Sequence, residues 1–134
     1  MFLLDLISLI QSATLGTYGQ DLFVFRLPDN IYTAIALRAT GGTAPTYDLT
    51  AIPYSTERPG VQILGRSLPG AVPEQAMFAR LEAIHQLFAG TMGTVINGTK
   101  YHSIHPLQSP FLLGPDEKGR ALFAFNALVE KEPS

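Results

Sequence analysis

A chain of 134 residues with a formal net charge of −2 is long enough for one domain with a closed core, and its charge argues against binding nucleic acid through bulk positive charge. Hydrophobic residues make up 46% of the sequence and charged residues only 15%, against roughly 25% charged in an average soluble domain. The low charge favours burial of a sizeable surface against other copies or partners, and the absence of cysteine excludes disulfides and thiolate metal sites.

The first twelve residues predict a short amphipathic helix. Their apolar side chains recur at helical spacing: Phe2, Leu3, Leu6, Ile7 and Ile10. The run is short, contains Asp5 and has no basic residues in front of it, so it predicts neither a membrane span nor a signal peptide. We expect a terminal helix on its own core, with docking on a neighbouring subunit as the alternative.

The next two apolar segments predict an antiparallel hairpin. Leu22–Leu27 and Ile31–Arg38 each alternate as strands do, and Pro28-Asp29-Asn30 between them is typical of a turn.

Residues 39–59 predict a long loop, because no periodicity holds after Thr40-Gly41-Gly42. Structureless loops of this length are usually functional or disordered. Four apolar side chains give the segment something to dock with: Tyr47, Leu49, Ile52 and Tyr54. We predict an arm that orders against a neighbouring subunit, and the alternative is a loop folded back on its own domain.

A strand and a helix follow directly and predict the centre of the fold. Val61–Ser67 alternates as a strand, with Val61 and Ile63 on one face. After Pro73, an apolar stripe recurs at helical spacing: Met77, Leu81, Ile84 and Phe88.

The C-terminal third predicts two hairpins. Asn97-Gly98 between short β-like runs is a strong hairpin signal. Phe111–Leu113 and Arg120–Val129 predict strands joined by the turn at 114–119, followed by a frayed polar tail at 130–134. Residues 1–134 therefore predict one α+β domain: a mostly antiparallel mixed sheet flanked by an N-terminal helix and one longer central helix, with a long extended loop.

No pattern in the sequence predicts catalysis, a metal site or a cofactor. His102 and His105 are three residues apart, a spacing that points to opposite faces of a strand. The segment 38–42 lacks the GxxxxGK[ST] pattern of a phosphate loop, and no serine lies in a GxSxG elbow. Asp116 and Glu117 lie in a turn, where acidic residues are ordinary.

Several short segments, taken in order, resemble a known family. They are Phe23-x-x-x-Leu27-Pro28-Asp29, Ala36-Leu37-Arg38-Ala39-Thr40-Gly41-Gly42, Arg58-Pro59-Gly60-Val61-Gln62-Ile63 with Gly65-Arg66, and the late Pro110 with Gly114-x-Asp116-x-x-Gly119-Arg120. Across residues 20–126 this order resembles the minor capsid or tail-completion proteins of long-tailed bacteriophages, the group that includes tail terminators.

The resemblance implies a structural virion protein with no catalytic residues. Such proteins are implied to form rings, commonly hexamers, that cap the tail tube and join it to the head-side connector. The implied partners are further copies of the chain, the tail-tube protein and a head-completion (stopper) protein, with DNA passing through the lumen without specific binding. The implied location is the head–tail junction of the virion, after assembly in the cytoplasm of the bacterial host and without a membrane.

Within this framework twelve residues are predicted to contact another subunit or a partner. They are Arg38, Thr40, Gly41, Gly42, Tyr47, Leu49, Ile52, Tyr54, Arg58, Arg66, Asp116 and Glu117. Two alternatives remain open at this point: another head–tail connector (neck) ring protein, and a soluble monomeric module that binds a small ligand.

Overall fold

The computed structural model describes residues 1–46 and 56–133 of the chain. Within them lie two helices and seven strands: α1 Phe2–Ser12, β1 Leu22–Val24, β2 Ala34–Thr46, β3 Thr56–Ser67, α2 Ala71–Ala89, β4 Met92–Ile96, β5 Thr99–Pro106, β6 Phe111–Pro115 and β7 Ala121–Lys131. The strands form one mixed sheet in the order β1-β2-β3-β7-β5-β4, and β6 pairs with β7. The predicted α+β fold with an N-terminal and a central helix is confirmed.

One face of the sheet holds the core. The inward side chains of neighbouring strands, such as Leu37, Ile63 and Phe125, are Cα partners across β2, β3 and β7. The predicted stripe of α2 covers them: Met77, Leu81, Ile84 and Phe88 are at most 1% exposed. The two elements approach closely at Gly65, where a Cβ atom would lie 2.7 Å from the sulfur of Met77.

The predicted hairpin of residues 22–27 and 31–38 is wrong, because β1 pairs with β2 in parallel. Phe25 has a φ of 72°, and the amide of Arg26 donates to the carbonyl of Val24 over 2.9 Å. The chain therefore turns away after Val24 and returns through residues 25–33 to the start of β2. Alternation of side chains is the same in parallel and antiparallel strands, so the pattern alone did not distinguish them.

The predicted loop at 39–59 is also largely wrong. Residues 39–46 and 56–59 extend β2 and β3, which stay paired as far as Thr46 and Thr56. The register shifts between Thr40 and Thr43 and again between Thr43 and Thr46. Such bulges interrupt the two-residue period, which hid the strands from a search for periodicity. Tyr47, Leu49, Ile52 and Tyr54 lie outside the described residues.

Both C-terminal hairpins are confirmed. Asn97 and Gly98 have φ angles of 49° and 84°, as a type I′ turn requires, and β6 pairs antiparallel with β7. The prediction of a frayed tail is wrong for residues 130–132, because β7 runs to Lys131 and Glu132 is hydrogen-bonded to the neighbouring strand. The Lys131 ammonium is 2.6 Å from a Glu57 carboxylate oxygen, and the Glu132 amide donates to the Lys100 carbonyl over 2.9 Å.

The N-terminal helix packs on the core of its own chain, as expected, with Leu3, Leu6 and Ile10 buried. Its one buried charge, Asp5, ties it to the β4–β5 hairpin. The Tyr101 hydroxyl donates to one carboxylate oxygen of Asp5 over 2.5 Å, and the Asn97 side-chain amide donates to the other over 2.9 Å.

Changing Tyr101→Phe is expected to lower the free energy of unfolding by about 1.5–3 kcal/mol, the range for a buried hydrogen bond to a charged group. Asp5 would keep Asn97 as its only donor among the contacts just described. Urea unfolding measures the effect, and Tyr18→Phe, at an exposed tyrosine, is the control. A loss no larger than that of the control would show that the bond contributes nothing net.

Candidate assembly surfaces

Arg66 organises residues 25–33 from inside the chain. Its side chain is buried, and its guanidinium donates to the carbonyl of Tyr32 over 3.4 Å and to the carbonyls of Pro28 and Ile31. Burial, followed by the neighbouring positive charge of Arg120, lowers the pKa of Arg66. Arg66 was predicted at a subunit interface, and that stays a prediction; within its own chain Arg66 donates to three backbone carbonyls.

Arg120 joins the β6–β7 turn to the same segment. Its Nε donates to Oδ2 of Asp116 over 2.7 Å, and its two terminal nitrogens donate to the carbonyl and the carboxylate of Asp29, each over 2.9 Å. The guanidinium also lies 5.0 Å from the ring centroid of Tyr32. Asp116 therefore serves its own turn, since its Oδ1 accepts the amides of Lys118 and Arg120 as well. Of the two acidic candidates in the turn, only Glu117 is exposed.

Low pH is expected to reduce the stability that comes from the contacts among Arg120, Asp116 and Asp29. Burial opposes ionisation of Asp116, but hydrogen bonds from Arg120 and Lys118 outweigh it and hold the pKa of Asp116 below its usual 3.8. Hydrogen bonds from Lys118 and then Arg120 lower the pKa of Asp29 below the same value. A carboxylate with a lowered folded pKa stabilises the fold above the unfolded pKa, and the stabilisation is lost as the pH falls through the folded pKa.

Asp116→Asn keeps an acceptor for the two amides but removes the charge beside Arg120. The urea midpoint of this variant should lie below that of the parent at about pH 6, and the gap should shrink at about pH 3. Glu117→Gln, on the same turn but exposed, should show no such trend. A gap that stays constant with pH would contradict the assigned role of the Asp116 charge.

At the opposite end of the sheet, glycines let β2 and β3 approach at the bulge. Gly42 has a φ of 66°, and a Cβ atom there would lie 2.3 Å from the carbonyl oxygen of Arg58. A Cβ atom on Gly60 would lie 2.2 Å from Oγ1 of Thr40. A larger residue at Gly42 would require the backbone of β3 to move, and one at Gly60 would displace the Thr40 side chain and press on the Gly42 backbone. The sequence lost its strand periodicity after Thr40-Gly41-Gly42, and the structure places these three residues within the continuous strand β2.

The other candidates at this end flank the bulge. Thr40 and Gly41 are exposed. Arg38 is exposed and donates to the side-chain oxygen of Gln62 over 2.6 Å, and Nε of Arg58 lies 3.6 Å from a Glu130 carboxylate oxygen. The structure therefore brings together five of the predicted interface residues: Arg38, Thr40, Gly41, Gly42 and Arg58. Asp116 and Glu117 lie at the other end of the sheet.

The sequence search missed an apolar edge. Phe111, Leu112 and Leu113 of β6 are 36%, 56% and 50% exposed, and Leu107 just before them is 61% exposed. Within the described residues, β6 pairs only with β7, so its other edge is open. The signal was present: three consecutive apolar residues in a strand put apolar side chains on both faces. Strand β4 also exposes Met92 and Val95.

The described residues were also searched for a metal site and for a membrane-spanning helix. No three His, Cys, Asp or Glu side chains among residues 1–46 and 56–133 come together as a metal site would require. Neither described helix combines the length and apolar character needed to cross a membrane.

Comparison with known proteins agrees with a role in assembly. A family model described as bacteriophage tail terminator protein matches residues 9–133 of the chain. The matched range includes all seven strands, all of α2 and the end of α1. No curated protein matches the chain.

Proposed function

The chain belongs to the bacteriophage tail terminator family, and on that basis we propose that it forms a ring that caps the tail tube and joins it to the head-side connector. Members of this family are structural components of the virion that interact with other tail or head components. The chain is therefore a structural protein of the phage and not an enzyme.

The observation that carries the ring is the apolar edge strand β6. Phe111, Leu112 and Leu113 expose uncharged apolar side chains on both faces of β6. Pro110 and Pro115 bound the strand, and among the described residues no second strand pairs with the edge between them. Monomeric proteins normally protect such an edge with charges, prolines or a covering element, because it otherwise pairs with another chain. Coverage by a neighbouring subunit accounts for these exposed side chains, and it agrees with the low charge content of the sequence.

Two different surfaces on each subunit support a closed ring over a simple dimer. The bulge of β2 and β3 lies near Glu130 at one end of β7, and β6 pairs with residues 121–124 at the other end. Contacts between two unlike surfaces are heterologous, and they generate rings when the rotation closes. The proposed ring is a hexamer, as the resemblance implies, with the tail-tube protein on one side and the stopper on the other.

DNA passes through the proposed lumen without specific binding. A net charge of −2 supplies no bulk attraction for phosphates, and the affinity of proteins for DNA comes largely from that attraction. The proposed position is the head–tail junction, after assembly in the cytoplasm of the bacterial host.

The test uses the full chain alone and with purified tail tubes. Negative-stain images and sedimentation should show rings, or monomers that assemble on tube ends, and added protein should stop tube growth. A protein that stays monomeric at high concentration, fails to sediment with tubes and leaves their length unchanged would refute the proposal. Binding to the head-side connector but not to tube ends would instead identify another neck protein.

A further inference from the structure

A second apolar surface lies beside β6, and we propose that it receives residues 47–55 of a neighbouring copy of this chain. The surface is the trough between the first turns of α2 and strand β6, called here the α2–β6 trough. The inference deepens the proposed ring and rests on it, because it names the contact that joins one subunit to the next.

Two adjoining cavities form the trough. One has a volume of about 390 Å³ and is lined by Glu74, Gln75, Phe78 and Phe123. The other has a volume of about 150 Å³ and is lined by Glu74, Leu112, Gly114, Pro115, Gly119 and Ala121. Glu74 borders both, so the two cavities lie beside the same residue at this end of the sheet.

The floor and one wall of the trough are apolar. Phe78 and Phe123 meet edge to face with their ring centroids 6.2 Å apart, and Leu112 is the Cα partner of Phe123 on the neighbouring strand. Leu112 is 56% exposed. Covering such a side chain is favourable because it removes apolar surface from water, and aromatic anchors seated in apolar pockets supply much of the energy of protein interfaces.

The chain carries a segment of matching character. Residues 47–55, which join Thr46 to Thr56, contain two tyrosines, a leucine and an isoleucine but only one charge, at Asp48. A tyrosine suits this trough, because its ring fits the apolar floor and its hydroxyl needs an acceptor. Glu74 and Gln75 place such acceptors at the rim.

The trough lies far from Thr46 and Thr56, the residues that segment 47–55 connects. Thr46 and Thr56 are paired where β2 and β3 end, and Gly65, the Cα partner of Phe123, is nine positions further along β3, roughly 30 Å at strand spacing. A nine-residue segment held at both ends reaches out roughly 15 Å, about half its extended length. This distance favours an occupant from another copy, and such a contact would join unlike ends of two subunits, as a ring requires.

Site-directed cross-linking tests the contact, and the chain is suited to it because it contains no cysteine. A Thr50→Cys chain is mixed with a Gln75→Cys chain under conditions in which rings or capped tubes form, and a short bis-maleimide is added. Only contacts between subunits can give a covalent dimer of the two variants. The matched control is Gln86→Cys, which is exposed on the same face of α2 and roughly 16 Å further along the helix.

We expect cross-linking at position 75 to exceed that at position 86 on the order of tenfold, because a formed contact holds two groups at a high effective concentration. Leu112→Lys should abolish both the cross-link and the oligomer. Val95→Lys, at a comparably exposed residue of β4, should change neither.

Three results would overturn the inference. Rings that form with equal or no cross-linking at positions 75 and 86 would refute the contact while leaving the proposed ring intact. Cross-linking of Gln75→Cys to the tail-tube protein, in place of Thr50→Cys, would assign the trough to the tube. If no oligomer forms alone or on tube ends, the proposed function fails as well.

Discussion

Replacing residues 47–55 with Asn-Gly is expected to abolish assembly while changing the free energy of unfolding by less than about 1 kcal/mol. Thr46 and Thr56 are Cα partners at the ends of β2 and β3, and a two-residue Asn-Gly turn is the connection that best closes such a hairpin. Shortening a loop has a small effect on stability, since the entropy of closing it changes only slowly with length. Residues 1–46 and 56–133 form a buried core among themselves.

Assembly is expected to fail because the replacement removes the four apolar side chains proposed to seat in the next subunit. Sedimentation with and without tail tubes measures assembly, and urea unfolding measures stability. A nine-residue Gly-Ser segment in place of 47–55 should fail in the same way, since it restores the length without the apolar groups. Thr50→Ser, which keeps them, should assemble normally. Loss of cooperative unfolding in the Asn-Gly variant would mean that the segment belongs to its own core.

The parts of the fold that sequence predicted well are those in which one local rule acts alone. The stripe of α2 from Met77 to Phe88 follows helical spacing, and all four of its residues are buried. Asn97-Gly98 needs only the turn geometry that these two residues favour. In both cases the residues that carry the signal lie within a few positions of each other.

The failures came where distant contacts decide the local structure. The direction of β2 relative to β1 depends on the return of residues 25–33, which Arg66 holds from the middle of the sheet. The length of β2 and β3 depends on bulges at Thr40 and Thr43, which break the alternation that a search for strands uses. Lys131 belongs to a strand because it pairs with Glu57 of β3 and Tyr101 of β5, both distant in sequence.

In the candidate interface, too, the features that depend on distant contacts were not predicted from sequence. Arg66 and Asp116 were predicted at an interface because they lie in segments that carry the family resemblance, and the structure adds that both make hydrogen bonds within their own chain. The sequence correctly predicts a strand at Leu112, but it does not indicate whether another element packs over the Leu112 side chain. The sequence predicted β7 as the hairpin partner of β6, but it carries no signal for whether a second strand covers the other edge, so the open edge became visible only in the sheet.

Arg66→Met is expected to lower the free energy of unfolding by about 2–4 kcal/mol, because the carbonyls of Pro28, Ile31 and Tyr32 lose a charged donor. Methionine preserves most of the apolar stem, so the loss reports mainly on the hydrogen bonds. Relief of the repulsion between Arg66 and Arg120, which helps to lower the pKa of Arg66, offsets part of the cost and keeps the estimate below that of a broken buried ion pair.

Two arginine variants separate this role from a simple effect of charge. Arg66→Lys keeps the charge but lacks the fork that reaches several carbonyls at once, so it should fall between the parent and Arg66→Met. Arg38→Met, at an exposed arginine that bonds to Gln62, should stay within about 0.5 kcal/mol of the parent. Hydrogen exchange adds a local test: the amide of Phe25, which donates to the Leu37 carbonyl, should lose protection in Arg66→Met before the amides of α2 do, because residues 25–33 open first. Equal losses of stability in Arg66→Met and Arg38→Met would show that Arg66 does not hold the parallel strand in place.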